Sequence, residues 1–352
     1  MDIYVLDGLN GVKDILENFK SSIFNLQYNG MNDFEIIAPA TEKNLDLLQY
    51  GAYVVRKEDA TSDGFRNVMI VENIKIDINS EDGWLITATG RGLKSILERR
   101  IVWSQKTFSG KLENSIRSLI DSEIIHPSAT PRKILDFQLG RLKGLSKTLT
   151  TQLFGENLGE WIQETCSMFG YGFDVSIASG KYVFDIYEGT DRTSGQNRVV
   201  FSPDFDNLLS SSFQNNKEEY QNAALVGGEG EGTNKKTVQV GSGSGLNRYE
   251  AYIDGSSVSS NGEIITPSQY LSLLRGYGET QLSQNKFSQN FEGEVDPFGI
   301  FKLNEDYFLG DLVLIENELG ISAISRINEI IYAEDENGSS VVPTFTEWEV
   351  QN

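Results

Sequence analysis

Tyr220-Gln221-Asn222-Ala223-Ala224-Leu225-Val226 enters a glycine-rich acidic link, Gly227-Gly228-Glu229-Gly230-Glu231-Gly232, and Thr237-Val238-Gln239-Val240 leaves it. Apolar side chains recur at a period near two on both limbs, as half-buried strands require, so the segment reads as a β-hairpin displaying its loop. Asn247-Arg248-Tyr249-Glu250-Ala251-Tyr252-Ile253-Asp254 repeats the alternation and extends the outgoing limb. Gly227, Glu229, Glu231, Gly241 and Gly245 mark this loop as the candidate interaction element, because spaced glycines give reach without a fold of their own. A disordered surface loop is the equal alternative.

Working outward, the first hundred residues are strand-rich. Ile23–Tyr28 and Phe34–Ile37 flank Asn29-Gly30-Met31-Asn32-Asp33, a polar connection suited to a hairpin. Ala52–Arg56, Val68–Ile78 and Trp84–Gly90 follow between Asp/Ser/Gly breaks. Short strands with polar turns point to an antiparallel barrel or sandwich rather than a βαβ unit. Gly90-Arg91-Gly92-Leu93 then opens a helical period with Leu93, Ile96, Leu97 and Arg100 on one face. Its glycines lack the Gly-Lys-Ser/Thr ending of a phosphate cradle, so a helix capping the barrel is the reading.

Residues 105–200 read as α+β. Leu112, Ile116, Leu119 and Ile120 mark one helix, and Asn157-Leu158-Gly159-Glu160 opens a second as an Asn-x-x-Glu capping box, closed by Gly170. Phe173–Ile177 and Tyr182–Tyr187 pair across Ala178-Ser179-Gly180-Lys181. Thr266-Pro267 is an N-cap followed by proline at the first helical position, with Tyr270, Leu271, Leu274 and Tyr277 in one stripe. The tail returns to strands, Asp311–Ile315, Ile321–Tyr332 and Thr344–Val350, around the turn Asp335-Glu336-Asn337-Gly338. The division expected is 1–104, a first β-barrel domain; 105–200, α+β; 201–290, hairpin and helix; 291–352, strands completing a second barrel-like domain, the segments interleaved.

At 352 residues the chain exceeds one ordinary core, and two to four domains is the prior. A single cysteine, Cys166, excludes an internal disulfide and is expected to be a packed thiol. Met1–Asp7 carries acids where a basic leader would stand, and no apolar run approaches the roughly 18 residues a span needs. The chain is therefore expected to involve no membrane and to be made in the cytoplasm. A net charge of −21, from 51 acidic and 30 basic residues, argues against gripping nucleic acid through its phosphates. It is compatible with a wall past which a polyanion slides.

Three passages, in order, resemble phage tail hub proteins of Gram-positive hosts and of phage tail-like particles. They are Gly90-Arg91-Gly92-Leu93 with Leu97-Glu98-Arg99-Arg100-Ile101-Val102-Trp103; the Asn222–Asp254 segment; and Leu309-Gly310-Asp311, Arg326-Ile327 and Pro343-Thr344-Phe345. The resemblance implies a mainly β hub with an α+β insertion, in which two antiparallel β-barrel-like tube domains per chain alternate around a homotrimeric ring. Its implied partners are the tail tube or distal tail protein, the tape-measure protein and a spike or fibre protein, with DNA passing through without specific binding. Its place would be the virion tail. Long edges such as Val68–Ile78 and Ile321–Tyr332 fit that picture, because edges left unguarded call for a neighbouring copy.

Chemistry finds little support. One histidine, His126, falls short of a zinc site, and nothing around His126 or Cys166 marks an activated pair. Asp204 with Asp206 and Glu229 with Glu231 read as solvated turn and loop acids, and neither pair completes a calcium loop. No catalytic residue, cofactor or metal is expected. The competing classes are a tail-associated cell-wall hydrolase, for which the chain ending at Asn352 is expected to leave no room, and a carbohydrate- or receptor-binding β-protein. The latter wants tryptophans on one face, whereas Trp84, Trp103, Trp161 and Trp348 are scattered and three sit in patterns expected to be buried.

Overall fold

The computed structural model describes residues 2–79, 83–260, 265–285, 288–295, 299–320 and 322–347. Ile321 and the stretch 348–350, both part of the expected tail strands, lie outside them.

The first strands are β1 (Ile3–Leu6), β2 (Val12–Leu16), β3 (Ser21–Gln27) and β4 (Asp33–Pro39). A short helix α1 (Glu42–Leu47), capped by Thr41, leads to β5 (Tyr53–Arg56), β6 (Gly64–Phe65), β7 (Met69–Asn79) and β8 (Gly83–Gly92). Alternation sets the faces: Phe24 and Leu26 of β3 and Phe34, Ile36 and Ala38 of β4 point inward, with the Phe24 and Phe34 rings stacked at 5.9 Å.

The amphipathic helix expected from Leu93 is instead a 3-10 segment, Leu93–Arg99. It starts directly off β8, tied by the Leu93 N–H to the Val68 carbonyl, and Leu93 to Leu97 are all buried, Lys94 and Ser95 included. A helix with one apolar face would have turned Lys94 to solvent. Next come β9 (Lys106–Lys111), α2 (Leu112–Ile120) running into a π turn at Asp121–Ile125, β10 (Phe137–Leu139) and β11 (Thr148–Leu153). Helix α3 (Leu158–Phe169) starts at Asn157, whose Oδ1 accepts the Gly159 and Glu160 N–H groups, and stops at Gly170 in the left-handed region. β12 (Gly172–Ala178) and β13 (Lys181–Tyr187) form the expected hairpin, turned by Ser179 and Gly180.

β14 (Val200–Phe201) and β15 (Leu208–Asn216) precede β16 (Ala223–Gly227), β17 (Thr237–Gly241) and β18 (Glu250–Asp254). Helix α4 (Pro267–Leu282) carries a full capping box between Thr266 and Gln269. The chain ends in β19 (Ser288–Val295), β20 (Leu312–Glu316), β21 (Ser322–Asp335) and β22 (Gly338–Glu347).

Strands from both ends of the chain share one 13-stranded sheet, whose main path runs β15-β19-β22-β21-β3-β4-β8-β7-β5-β1-β2. The bridge is β21, which pairs with β22 on one side and with β20 and then β3 on the other. Among the described residues this path ends at β15 and β2 without closing, so no closed barrel forms within the chain. One apolar core, with Phe24, Phe34, Phe201 and Phe345, backs the sheet. A second packs α2, α3 and the β12–β13 hairpin around Leu112, Ile162 and Phe173.

The third core belongs to the stretch between β15 and β19. Those strands pair out to Asn216 and Ser288, so what lies between them hangs from the end of a two-stranded ladder. There α4 covers β16–β18 through Val226, Val240, Tyr270 and Leu274. The hairpin read from the sequence is β16 with β17, but β18 does not lengthen its outgoing limb. It lies parallel to β16 on the opposite side. Asn222 causes the return: its Nδ2 donates to the Asn247 carbonyl at 2.7 Å and its Oδ1 accepts the Tyr249 N–H at 2.9 Å.

Candidate assembly interface

Eight strands from β15 to β7 are joined by seven pairings, every one antiparallel. Both ends of this run present open edges. β7 pairs with β8 along its length, but with β5 only at Met69 and Ile70, so among the described residues its other side has no strand partner from Glu72 to Asn79. Among the described residues β15 pairs only with β19. Its sequence, Leu-Leu-Ser-Ser-Ser-Phe-Gln-Asn-Asn, holds no charge and no proline, the usual guards of an edge strand. By contrast, the β2 edge is short and guarded by Lys13 with Asp46 at 2.9 Å and Asp14 with Lys43 at 3.3 Å. Of the two long edges expected from sequence, that of Val68–Ile78 is open, whereas Ser322–Tyr332 is interior because β21 has neighbours on both sides.

Beside the β7 edge the core face of the sheet runs out past its core. Ile76 faces Ile86 and Ile78 faces Trp84 across the ladder. Ile86 is buried, yet Ile76, Ile78 and Trp84 remain 49%, 62% and 58% exposed. Trp103 is also exposed, stacked under Arg132, so among the described residues the one buried tryptophan is Trp161, and Trp348 lies outside them. The reason is position: Trp84 lies past the end of the core, and Trp103 in a loop.

The displayed loop is tied down. Glu229 accepts the Ser260 N–H at 2.6 Å and its hydroxyl at 2.8 Å, pairs with Lys236 at 3.2 Å, and its own N–H donates to Tyr270 Oη at 2.7 Å. Burial works to raise the Glu229 carboxyl, but the Ser260 donors and Lys236 outweigh it and hold it low. Glu231 is exposed, Gly227 ends β16 in a buried position, and Gly245 opens a 3-10 turn. Gly241 has φ +72°, and a Cβ there would stand 2.2 Å from the Asn222 carbonyl oxygen. This glycine serves close packing rather than reach.

The module is docked on the body through β11. Gln152 donates to the Ser259 carbonyl at 3.0 Å and accepts its N–H at 2.6 Å. The adjoining cleft, about 220 Å³, is lined by Glu156, Glu160, Glu164, Trp161 and Tyr277 among others.

Gly310, Asp311 and Arg326, from the last passage that carries the hub resemblance, meet at a joint around Tyr28. Tyr28 is fully buried; its hydroxyl accepts the Gly189 N–H at 2.9 Å and lies 3.2 Å from the Gly170 and Tyr187 carbonyls. Burial pushes its phenol up to about 12. Arg326 lies 5.2 Å from the Tyr28 ring and donates to the Gly310 carbonyl. Asp311 accepts the Thr190 and Phe308 N–H groups at 2.8 and 3.0 Å and pairs with Arg192. Likewise Arg91 spans Glu72 and Glu98. These motifs fasten chain segments together, a role visible only once the partners, far off in sequence, are placed.

His126 ends the π turn, exposed, with Nδ1 2.8 Å from Asp121. Cys166 is buried on α3, and burial pushes its thiol up, away from a reactive thiolate. Asp204 and Asp206 stand exposed around a 3-10 turn. Among the described residues no group of three or more His, Cys, Asp or Glu is placed to hold a metal ion, and no helix is long and apolar enough to cross a membrane.

Residues 2–345 match the family model described as Siphovirus ReqiPepy6 Gp37-like protein. Three solved structures share the fold over nearly the whole chain. The tail protein from Neisseria meningitidis MC58 is 10% identical with a TM-score of 0.59, covering 98% of this chain and 96% of that one. The 43 kDa tail protein of prophage MuSo2 from Shewanella oneidensis is 14% identical with a TM-score of 0.60, covering 99% and 98%. Prophage tail protein gp18 from Listeria monocytogenes EGD-e is 14% identical with a TM-score of 0.53, covering 100% and 96%. No curated protein sequence matches the chain.

Proposed function

The chain belongs to the Siphovirus ReqiPepy6 Gp37-like protein family, and we propose that it is the structural hub at the distal end of a phage tail or phage tail-like particle. Three copies form a ring that joins the tail tube to the tip and lines the passage for the tape-measure protein and then DNA. One observation carries the ring: the two open edges, uncharged β15 and the Glu72–Asn79 stretch of β7, stand at opposite ends of one antiparallel run within the sheet. Seven antiparallel pairings leave β15 and β7 running in opposite directions, so β15 of one copy set against β7 of the next continues the antiparallel alternation. A contact between different edges repeats head to tail and closes into a ring when the rotation allows. The barrel-like tube domains are then completed between copies rather than within one.

In this reading the work is mechanical and not enzymatic. The three copies bring −63 formal charges, and those facing the bore form a wall to which DNA does not adhere. The proposed partners are a tail tube or distal tail protein above and a spike or fibre protein below, met through the loop of Gly227, Glu229, Glu231, Gly241 and Gly245. The division at 104, 200 and 290, with interleaved segments, is kept as part of the proposal; the interleaving fits cores that cross those bounds, Leu93 and Val102 packing in the second and Phe201 and Leu208 in the first. The place is the virion tail, after assembly in the host cytoplasm.

Light scattering should give three times 39.2 kDa, with threefold rings and a central hole in negative stain. Ser211→Pro and Ser212→Pro add a specific test, since successive N–H groups of β15 point alternately to β19 and to the open edge. One variant should lose about 3 kcal/mol of stability and the other should keep its fold but form no ring. A 39.2 kDa monomer at every concentration, with cell-wall lysis in a zymogram, would overturn the hub.

A further inference from the structure

Residues 99–147 hold ten of the 30 lysines and arginines but four of the 51 acids, a net charge of +6 that leaves −27 on the rest of the chain. The centre of this basic island is the turn 141–147, and it is built rather than loose. Glu113, buried at the start of α2, accepts the N–H groups of Lys143, Gly144 and Leu145 at 2.6, 2.7 and 2.8 Å. Arg117 holds the Gly140 carbonyl at 2.9 Å, and the Lys147 carbonyl accepts the Leu112 N–H at 3.0 Å. Three backbone donors on one buried carboxylate fix the turn in shape.

What the fixed turn presents is cationic and apolar. Arg141 and Lys147 are exposed, Lys111 stands beside Lys147 through the pairing of Lys111 with Thr148, and Leu142 is 53% exposed between them. Lys143 has a carboxylate nearby, Asp185 at 3.7 Å. Lys111, Arg141 and Lys147 have no ion pair among the described residues, in a chain with a surplus of 21 acids. Cations kept clear of the chain's own carboxylates, around an apolar side chain, fit the rim and centre of a protein interface.

We propose that this turn docks on the acidic surface of the adjacent copy in the ring, as a second contact beside the sheet edges; the proposal rests on the ring reading. Copies of net charge −21 repel one another, and a contact made only of the sheet edges, where β15 has no charge and Glu72, Lys75 and Asp77 on β7 sum to −1, would form against that repulsion. Seating the positive island against a neighbour whose remaining surface carries −27 offsets it where the copies meet.

Salt separates the possibilities by sign. Net repulsion alone makes assembly strengthen as salt rises, whereas local attraction makes it weaken. Ring formation by the unaltered protein, followed by light scattering from about 50 to about 500 mM salt, should weaken with salt. The triple variant Lys111→Gln, Arg141→Gln, Lys147→Gln should assemble about tenfold more weakly per joint at the low end, and should strengthen with salt. Leu142→Ser should weaken assembly at every salt concentration. Rings of the triple variant that match the unaltered protein throughout would overturn the docking while leaving the ring intact. An unaltered protein that stays monomeric at every salt concentration would overturn both.

Discussion

The exposed end of the β7–β8 ladder gives the sharpest test of assembly, the triple substitution Ile76→Ser, Ile78→Ser, Trp84→Ser. Fully burying a large apolar side chain is worth about 1.5–3 kcal/mol. With 49% and 62% of the two isoleucines and 58% of the tryptophan exposed in the single chain, covering what remains yields about 1 kcal/mol for each. The three together supply about 3 kcal/mol per joint, so their loss weakens each joint about 150-fold. The subunit itself loses the smaller part already buried, and its melting temperature should drop by only a few degrees. Dilution series by light scattering, paired with thermal melts, read both quantities. Leu246→Ser, at a site 98% exposed in the 3-10 turn Gly245–Asn247 and on neither sheet edge, is the control and should change neither. Rings that persist with unchanged concentration dependence in the triple variant would refute the reasoning, because the overhanging face would then be bare in the assembly too.

Two further predictions concern the subunit. Gly310→Ala places a Cβ 2.2 Å from the Tyr28 ring at φ +95°, so strain and overpacking together should cost about 3 kcal/mol in denaturant unfolding, and an unchanged midpoint would discard the account of this joint. Lys94 is buried, its Nζ donating to the Gln27 carbonyl at 2.6 Å, and burial lowers its ammonium from 10.5 to about 8, with Asp174 pulling the other way. Between pH 8 and 10.5 the unfolded chain therefore holds a proton that the folded chain has released, so this group adds stability as pH rises through the window. Measured against Lys94→Met, the unaltered protein should gain about 3 kcal/mol across it, and a pH-independent difference would show that the ammonium is not desolvated.

Local signals were read well where they are self-contained. The Thr266-Pro267 start of α4, the Asn157 cap and Gly170 stop of α3, and the Ser179-Gly180 turn each depend on residues within a few positions, and all stand where the sequence places them. Pairing partners were not legible. β18 repeats the same period-two pattern whether it extends a hairpin or returns parallel to β16, and the return is fixed by contacts across the module, the two hydrogen bonds of Asn222 among them. The segment after Gly92 shows why burial overrides periodicity: Lys94 looks like the polar face of a helix, yet its amine finds the Gln27 carbonyl inside the protein. The short strands β9, β10 and β11 carry alternation too weak to stand out in the sequence.

A strand of high alternation, such as the stretch from Ser322 to Tyr332, looks like an edge in need of cover until its neighbours are known, and here it is the bridge between the two ends of the chain. The strand that is an edge, β15, has a plainer signal, nine residues with neither charge nor proline. In a chain of which 23% is charged, such a run is what an uncovered edge would avoid and what a covered one tolerates. Together with the overhanging Ile76, Ile78 and Trp84 at the opposite end of the run, it leaves the subunit with two faces that become ordinary only in contact with another molecule. Because these faces sit on opposite ends of one antiparallel run, the proposed ring would cover both at once with further copies of the same chain.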